Sequence, residues 1–263
     1  MNKYFKIFIS LTALLLVACE SNPTYEGKSG KKEIALESGK YDDSPANVFI
    51  NLAIVYLRKN QIETALQYAE RAVDKDSSNP NGHNILALIH QRLGQYKKSE
   101  VGFRRALSIS PNNPYINNTY GGLLCELDMF DKSLIHFNKT IDHPLYSEKW
   151  IPQTNIGICA LRVGKLETAQ DYLRKALQNN GKFPIALYNM IKLSVLQENY
   201  LSARAYLQRY LEVGTHNPQT LWWGIKTEQK LGDRDRLESF KLLLRVKYPD
   251  SEEAKLLEAE QEK

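Results

Sequence analysis

Three cysteines and a pair of histidines are the residues of this 263-residue chain best suited to chemistry. Cys19 lies near the amino terminus, and Cys125 and Cys159 stand 34 residues apart. His83 and His90 are seven apart, so a helix would turn both to one side as a metal pair requires, though packing residues recur at the same interval. The patterns G-x-S-x-G, H-E-x-x-H and C-x-x-C are missing. Gly27, Lys28 and Ser29 match the end of a phosphate-binding loop, but Asn22 stands where its first glycine belongs and no apolar strand precedes it. The chain therefore reads as a non-enzyme with no catalytic residue, metal, cofactor or small-molecule substrate. With 35 basic against 30 acidic residues and no block of Lys or Arg interleaved with aromatics, it also lacks the footprint of a nucleic-acid binder.

The element that positions Cys19 is the amino-terminal segment. Lys3 and Lys6 precede an uncharged, mostly apolar run from Ile7 to Ala18. A membrane-spanning helix needs about 20 apolar residues, so this shorter run behind a basic start reads as a signal peptide over residues 1–18. Its end, Leu16-Val17-Ala18-Cys19, resembles the bacterial lipobox, which implies cleavage before Cys19 and its acylation. The alternative, a cysteine buried in a hydrophobic helix, conflicts with the linker-like stretch from Glu20 to Pro23. Glu20 stands where an aspartate would favour inner-membrane retention in lipoproteins, so the expected location is the periplasmic side of the outer membrane. Residues 19–45, rich in Gly, Ser, Lys, Asp and Glu, read as a lipidated amino terminus and flexible tether.

From residue 46 onward the chain repeats with a period of 34. Small residues mark it first: Ala65, Ser99, Ser133, Ala169 and Ala203 share one site, and Ala72, Ala106, Thr140 and Ala176 another seven residues later. Gly94, Gly164 and Gly232 fall where a first helix must end in a left-handed turn, and Pro111 and Pro249 close second helices. This is the tetratricopeptide length. The spacing predicts an all-α, right-handed solenoid of six helical hairpins, residues 46–79, 80–113, 114–147, 150–183, 184–217 and 218–251, with residues 252–263 as a short capping helix. Leu237 and Leu244 replace small residues in the sixth unit, whose helices are expected to splay.

In tetratricopeptide folds the fourth, seventh, eighth and eleventh residues of a repeat face the partner helix, and the second, fifth, ninth and twelfth line a concave groove. His83 and His90 then fall at packing positions. The predicted core stripe of the first repeat is Phe49, Leu52, Ala53 and Tyr56, and its groove stripe is Asn47, Ile50, Ile54 and Leu57. Exposed aliphatic residues on a wet surface mark an interaction site, so Ile50, Ile54 and Leu57, extended by Asn84, Leu88, Tyr115 and Asn118, form the candidate protein-binding groove. A tether or hairpin folded over the patch is the alternative. Of Trp222 and Trp223, one reads as packing against the sixth repeat, with a binding hot spot formed by the pair as the other option.

Several segments go beyond the generic repeat. Asn118-Thr119-Tyr120-Gly121-Gly122-Leu123-Leu124-Cys125, Pro144-Leu145-Tyr146, Asn155 to Leu161, Leu221 to Ile225, and Tyr248, Pro249 and Ser251 together resemble the PilF and PilW family of outer-membrane lipoproteins. Thr119 and Leu123 depart from its pattern. The resemblance implies a pilotin: a lipoprotein that binds subunits of a PilQ-like secretin and supports their localisation and multimerisation for type IV pilus assembly. A periplasmic repeat scaffold for cell-wall hydrolases or outer-membrane protein insertion is the alternative. The family segment around Cys159 carries its second cysteine. Cys125 and Cys159 fall at the twelfth and tenth positions of adjacent repeats, which suits a disulfide in an oxidising periplasm, with two buried thiols as the other reading.

Overall fold

The computed structural model describes residues 44–261, which fall in one compact unit. Cys19, the signal peptide and almost all of the tether lie outside the described residues. Thirteen helices and no strand occur among the described residues. Twelve pair into successive hairpins: α1 (Pro45–Arg58) with α2 (Ile62–Lys75), α3 (Pro80–Arg92) with α4 (Tyr96–Ile109), α5 (Pro114–Glu126) with α6 (Phe130–Ile141), α7 (Trp150–Arg162) with α8 (Leu166–Asn179), α9 (Pro184–Leu196) with α10 (Tyr200–Leu211), and α11 (Pro218–Leu231) with α12 (Arg234–Lys247). The last helix, α13 (Glu252–Gln261), packs on α11 and α12. The array is the tetratricopeptide solenoid that the period of 34 implies.

Local chemistry sets where these helices start and stop. Five of the six first helices begin at proline, whose missing N–H is one the first turn leaves unbonded anyway. Before them Asn79, Asn113 and Asn217 cap with side-chain oxygens that accept from backbone N–H groups of the first turn. Each first helix ends in one left-handed residue that reverses the chain into its partner. Gly94, Gly164 and Gly232 adopt that conformation without steric cost, and Asn60, Asp128 and Glu198 adopt it at φ of 57°, 59° and 57°.

Hairpin closure depends on small residues facing large ones. A Cβ on Gly121 would meet the Phe137 ring at 2.8 Å, and one on Gly157 would meet Leu173 at 2.6 Å, so α5–α6 and α7–α8 approach as closely as they do because nothing projects there. Ala65, Ala69 and Ala72 make the same approach possible in the first hairpin, each fully buried. In the sixth unit Leu244 is fully buried in a cluster with Leu221, Ile225, Ala254 and Leu257, so its extra volume is filled against the capping helix. A buried ion pair joins the fifth and sixth hairpins: Arg204 donates to the Glu228 carboxylate, which is 1 % exposed, and also lies 3.6 Å from Asp233.

The first hairpin departs from the expected pattern. Ile50, Ile54 and Leu57 are 2, 7 and 8 % exposed and belong to a core cluster with Ile85 and Ile89 of α3. Helix α1 packs against α3 as well as α2, so its apolar arc must cover two neighbours. These three residues are core, not an exposed groove. Of the stripe predicted as core, only Ala53 is fully buried. Phe49, Leu52 and Tyr56 are half-buried, and the rings of Phe49 and Tyr56 stack on Tyr68 at 6.2 and 5.3 Å.

Candidate binding groove

The first helices of neighbouring hairpins lie side by side, and polar side chains lock their register. Asn79 donates to Asn47 at 2.9 Å, Thr119 to Asn84 at 2.7 Å, Asn155 to Asn118 at 3.0 Å and Gln91 to Glu126 at 2.6 Å. Between α3, α5 and α7 the surface opens into a cleft of about 310 Å³, lined by Leu88, Gln91, Asn118, Gly122, Cys125 and Ile158, among others. Leu88 and Ile158 are its aliphatic walls. Gly122 lies at the equivalent position of the repeat between them, and a Cβ built there would meet nothing within 4 Å. The cleft exists because this position has no side chain.

The sequence-derived site residues divide. Leu88 and Asn118 line the cleft. Tyr115 lies outside its lining and meets Tyr146 edge-on at 5.4 Å. Tyr146 is buried, which pushes its hydroxyl well above the usual phenol range, and this anchor leaves the adjacent Leu145 87 % exposed. Ile50, Ile54 and Leu57 are in the core, as described above. Asn84 is buried and accepts from Thr119. Cys125 is bonded to Cys159 with Cα atoms 5.5 Å apart, and Cys125 shows its edge to the cleft.

Six cleft residues went unrecognised as such in the sequence: Gln91, Thr119, Gly122, Phe137, Asn155 and Ile158. The signal was present at the ninth repeat position, which reads Ile54, Leu88, Gly122, Ile158, Lys192 and Lys226 along the solenoid. One glycine interrupts a row of large side chains, and the row turns from aliphatic to cationic. His83 and His90 do not form a pair: His83 meets the Ser77 carbonyl at 2.9 Å and His90 the Gln95 side chain at 2.8 Å. Trp222 and Trp223 are half-buried, with the Lys226 ammonium 4.2 Å above the Trp222 ring and Trp223 Nε1 donating to the Tyr188 hydroxyl at 3.4 Å.

Electrostatically the groove side is poor in acid. The six first helices contain two carboxylates, Glu126 and Glu228, and both are occupied. Glu126 accepts from Gln91 and from the Tyr96 hydroxyl, whose pKa it pushes up, and Glu228 accepts from Arg204. Arg58, Arg92 and Lys192 on the same helices make no hydrogen bond or ion pair among the described residues. Such a surface can hold an apolar side chain, answer a peptide backbone with carboxamides and attract negative charge. Among the described residues no three His, Cys, Asp or Glu side chains gather as a metal site would require, and no helix is long and apolar enough to cross a membrane.

Comparison with known proteins places this geometry. A tetratricopeptide-repeat family model matches residues 50–114 and 155–218. The type IV pilus assembly protein PilF of Pseudomonas aeruginosa is 28 % identical over 225 residues, covering 86 % of this chain and 89 % of that protein. Among solved structures, PilW, a widely conserved type IV pilus biogenesis factor, superposes with a TM-score of 0.74 at 29 % identity, covering 81 % of this chain and 97 % of PilW. The structure of Pseudomonas aeruginosa PilF gives 0.71 at 28 % identity, covering 83 % and 98 %.

Proposed function

We propose that this chain, a tetratricopeptide-repeat protein homologous to PilF and a PilF- and PilW-like type IV pilus assembly factor, binds secretin subunits and supports their localisation and multimerisation as a pilotin. The observation that carries the reading is the similarity to PilF and PilW over most of all three chains. The solenoid is of a kind that works by holding other polypeptides, and the acid-poor cleft between α3, α5 and α7 is the surface suited to that task.

Membrane attachment belongs to the same proposal. Acylation at Cys19 would tether the repeats to the periplasmic face of the outer membrane, where secretin rings assemble. Several acyl chains, each contributing about 0.8 kcal/mol per buried methylene, give stable anchoring where one chain is marginal.

The test is recovery of the full-length chain from cross-linked envelopes, with identification of what comes with it, beside a Cys19→Ala chain. The expected result is secretin subunits with the unaltered chain, and loss of both membrane attachment and secretin multimers with the variant. Recovery of cell-wall hydrolases or outer-membrane insertion proteins in place of secretin would replace this reading with a scaffold role.

A further inference from the structure

We propose that the cleft between α3, α5 and α7 holds an extended segment of the partner in which a bulky apolar side chain is followed or preceded, five or six residues away, by an aspartate or glutamate. This deepens the pilotin reading and rests on it for the partner's identity, but the chemistry comes from four residues of this chain.

Gly122 supplies the seat. It leaves an unfilled notch between Leu88 and Ile158, and no atom of the described residues lies within 4 Å of the place a Cβ would take. Gln91 supplies a reason for main chain to lie there. Its Nε2 donates to Glu126 at 2.6 Å, so its Oε1 points the other way, and that oxygen is buried without a hydrogen-bond partner among the described residues. Turning the amide over would press its oxygen against a carboxylate, so the orientation is fixed. A buried acceptor left unbonded costs free energy, and a small shift of the side chains over it on binding would let a backbone N–H of an extended segment satisfy it. Asn118 adds to this, because it accepts from Asn155 and its own two amide hydrogens meet no acceptor among the described residues, which leaves them for a carbonyl.

Lys192 supplies the second determinant. It follows Gly122 and Ile158 in the ninth-position row, is half-buried, and makes no hydrogen bond or ion pair among the described residues. Adjacent helices lie about 8–10 Å apart, so two repeats from Gly122 to Lys192 span about 16–20 Å. An extended chain advances about 3.3–3.6 Å per residue, which makes that span five or six residues. With both first-helix carboxylates already occupied, no carboxylate of these helices competes with an incoming acid for the lysine.

The experiment is selection of phage-displayed random dodecapeptides on the full chain in detergent, repeated with Gly122→Leu, Gln91→Leu and Lys192→Glu. The expected result is enrichment of peptides pairing an aliphatic or aromatic residue with an acid five or six positions away. Capture of those peptides should fall at least tenfold with Gly122→Leu and with Gln91→Leu. Lys192→Glu should move the enriched charge from acidic to basic. Enriched peptides without that pairing, or bound equally by Gly122→Leu, overturn the inference. Secretin recovery by the unaltered chain is measured separately. If it succeeds while the Gly122→Leu chain keeps both peptides and secretin, the cleft assignment fails alone; if the peptides behave as expected and no secretin is recovered, the pilotin reading fails alone.

Discussion

Cys125 and Cys159 join α5 to α7 by a disulfide directly beneath the cleft, with the Ser133 hydroxyl 3.4 Å from the Cys159 sulfur. Cys125 shows its edge to the cleft and Cys159 is fully buried, so one covalent bond ties the floor of the groove to the core behind it. A loop of 34 residues closed this way removes unfolded-state entropy worth about 3–4 kcal/mol in the chain-entropy model. The Cys125→Ser, Cys159→Ser chain is expected to lose roughly that much stability in urea titrations under oxidising conditions. Equal midpoints for the two chains, with or without reductant, would count against the bond.

Position nine of the repeat separates core from groove. Ile54 is buried against α3, whereas Gly122 opens to the cleft. Ile54→Ala should cost about 2–5 kcal/mol, and Ile54→Lys more, because it buries a charge. Gly122→Leu should leave the melting temperature unchanged or raise it, since glycine inside a helix is about 1 kcal/mol less favourable than a good helix former. Thermal melts followed by circular dichroism decide both. A stable, fully helical Ile54→Lys chain would return Ile54 to the surface.

That contrast marks how far the sequence could be read. Period, hairpin count and phase were legible because proline, glycine and small residues recur where backbone geometry demands them, as at Gly94, Gly164 and Gly121. The binding surface was not. Assigning Ile50, Ile54 and Leu57 to a wet groove treated α1 as if it had one neighbour, whereas α3 completes their burial. The cleft escaped notice because it is made by the lack of a side chain at Gly122 and by an unbonded oxygen on Gln91, neither of which hydrophobic patterning registers. Leu88 and Asn118 were found because their side chains project into it.

Glu198 holds a left-handed conformation at φ 57° in the turn between α9 and α10, where three of the other first helices place glycine. An L side chain there costs about 1–2 kcal/mol, and glycine's greater freedom in the unfolded chain returns about half of that. Glu198→Gly is therefore expected to stabilise by about 0.5–1 kcal/mol, readable as a higher urea midpoint at an unchanged slope. The same substitution at Asn60 should gain less, since asparagine tolerates this region better. If Glu198→Gly destabilises, the turn is held by contacts of the glutamate side chain and not by backbone geometry.

His136 and His216 predict how stability depends on pH. Burial lowers the pKa of each below the ordinary histidine value of 6.5, and Lys139 and Lys247 respectively push the same way. His136 faces the Asn117 carboxamide at 2.8 Å and the Tyr120 ring at 4.7 Å, and His216 faces the Phe240 ring at 5.3 Å and the Thr220 hydroxyl at 3.4 Å, so neither meets a carboxylate that would welcome its charge. With the folded pKa below the unfolded one, the unfolded chain binds more protons in that interval. The stability these neutral rings contribute is complete above about pH 6.5, and it drains away as pH falls through the unfolded value toward the depressed folded ones. The melting temperature should accordingly drop between pH 7.5 and pH 5, well above the range where ordinary carboxylates protonate. His136→Gln, His216→Gln should start lower at pH 7.5 and fall less across that interval. An unaltered chain whose melting temperature stays flat from pH 7.5 to 5 would show that both rings take up protons as readily folded as unfolded.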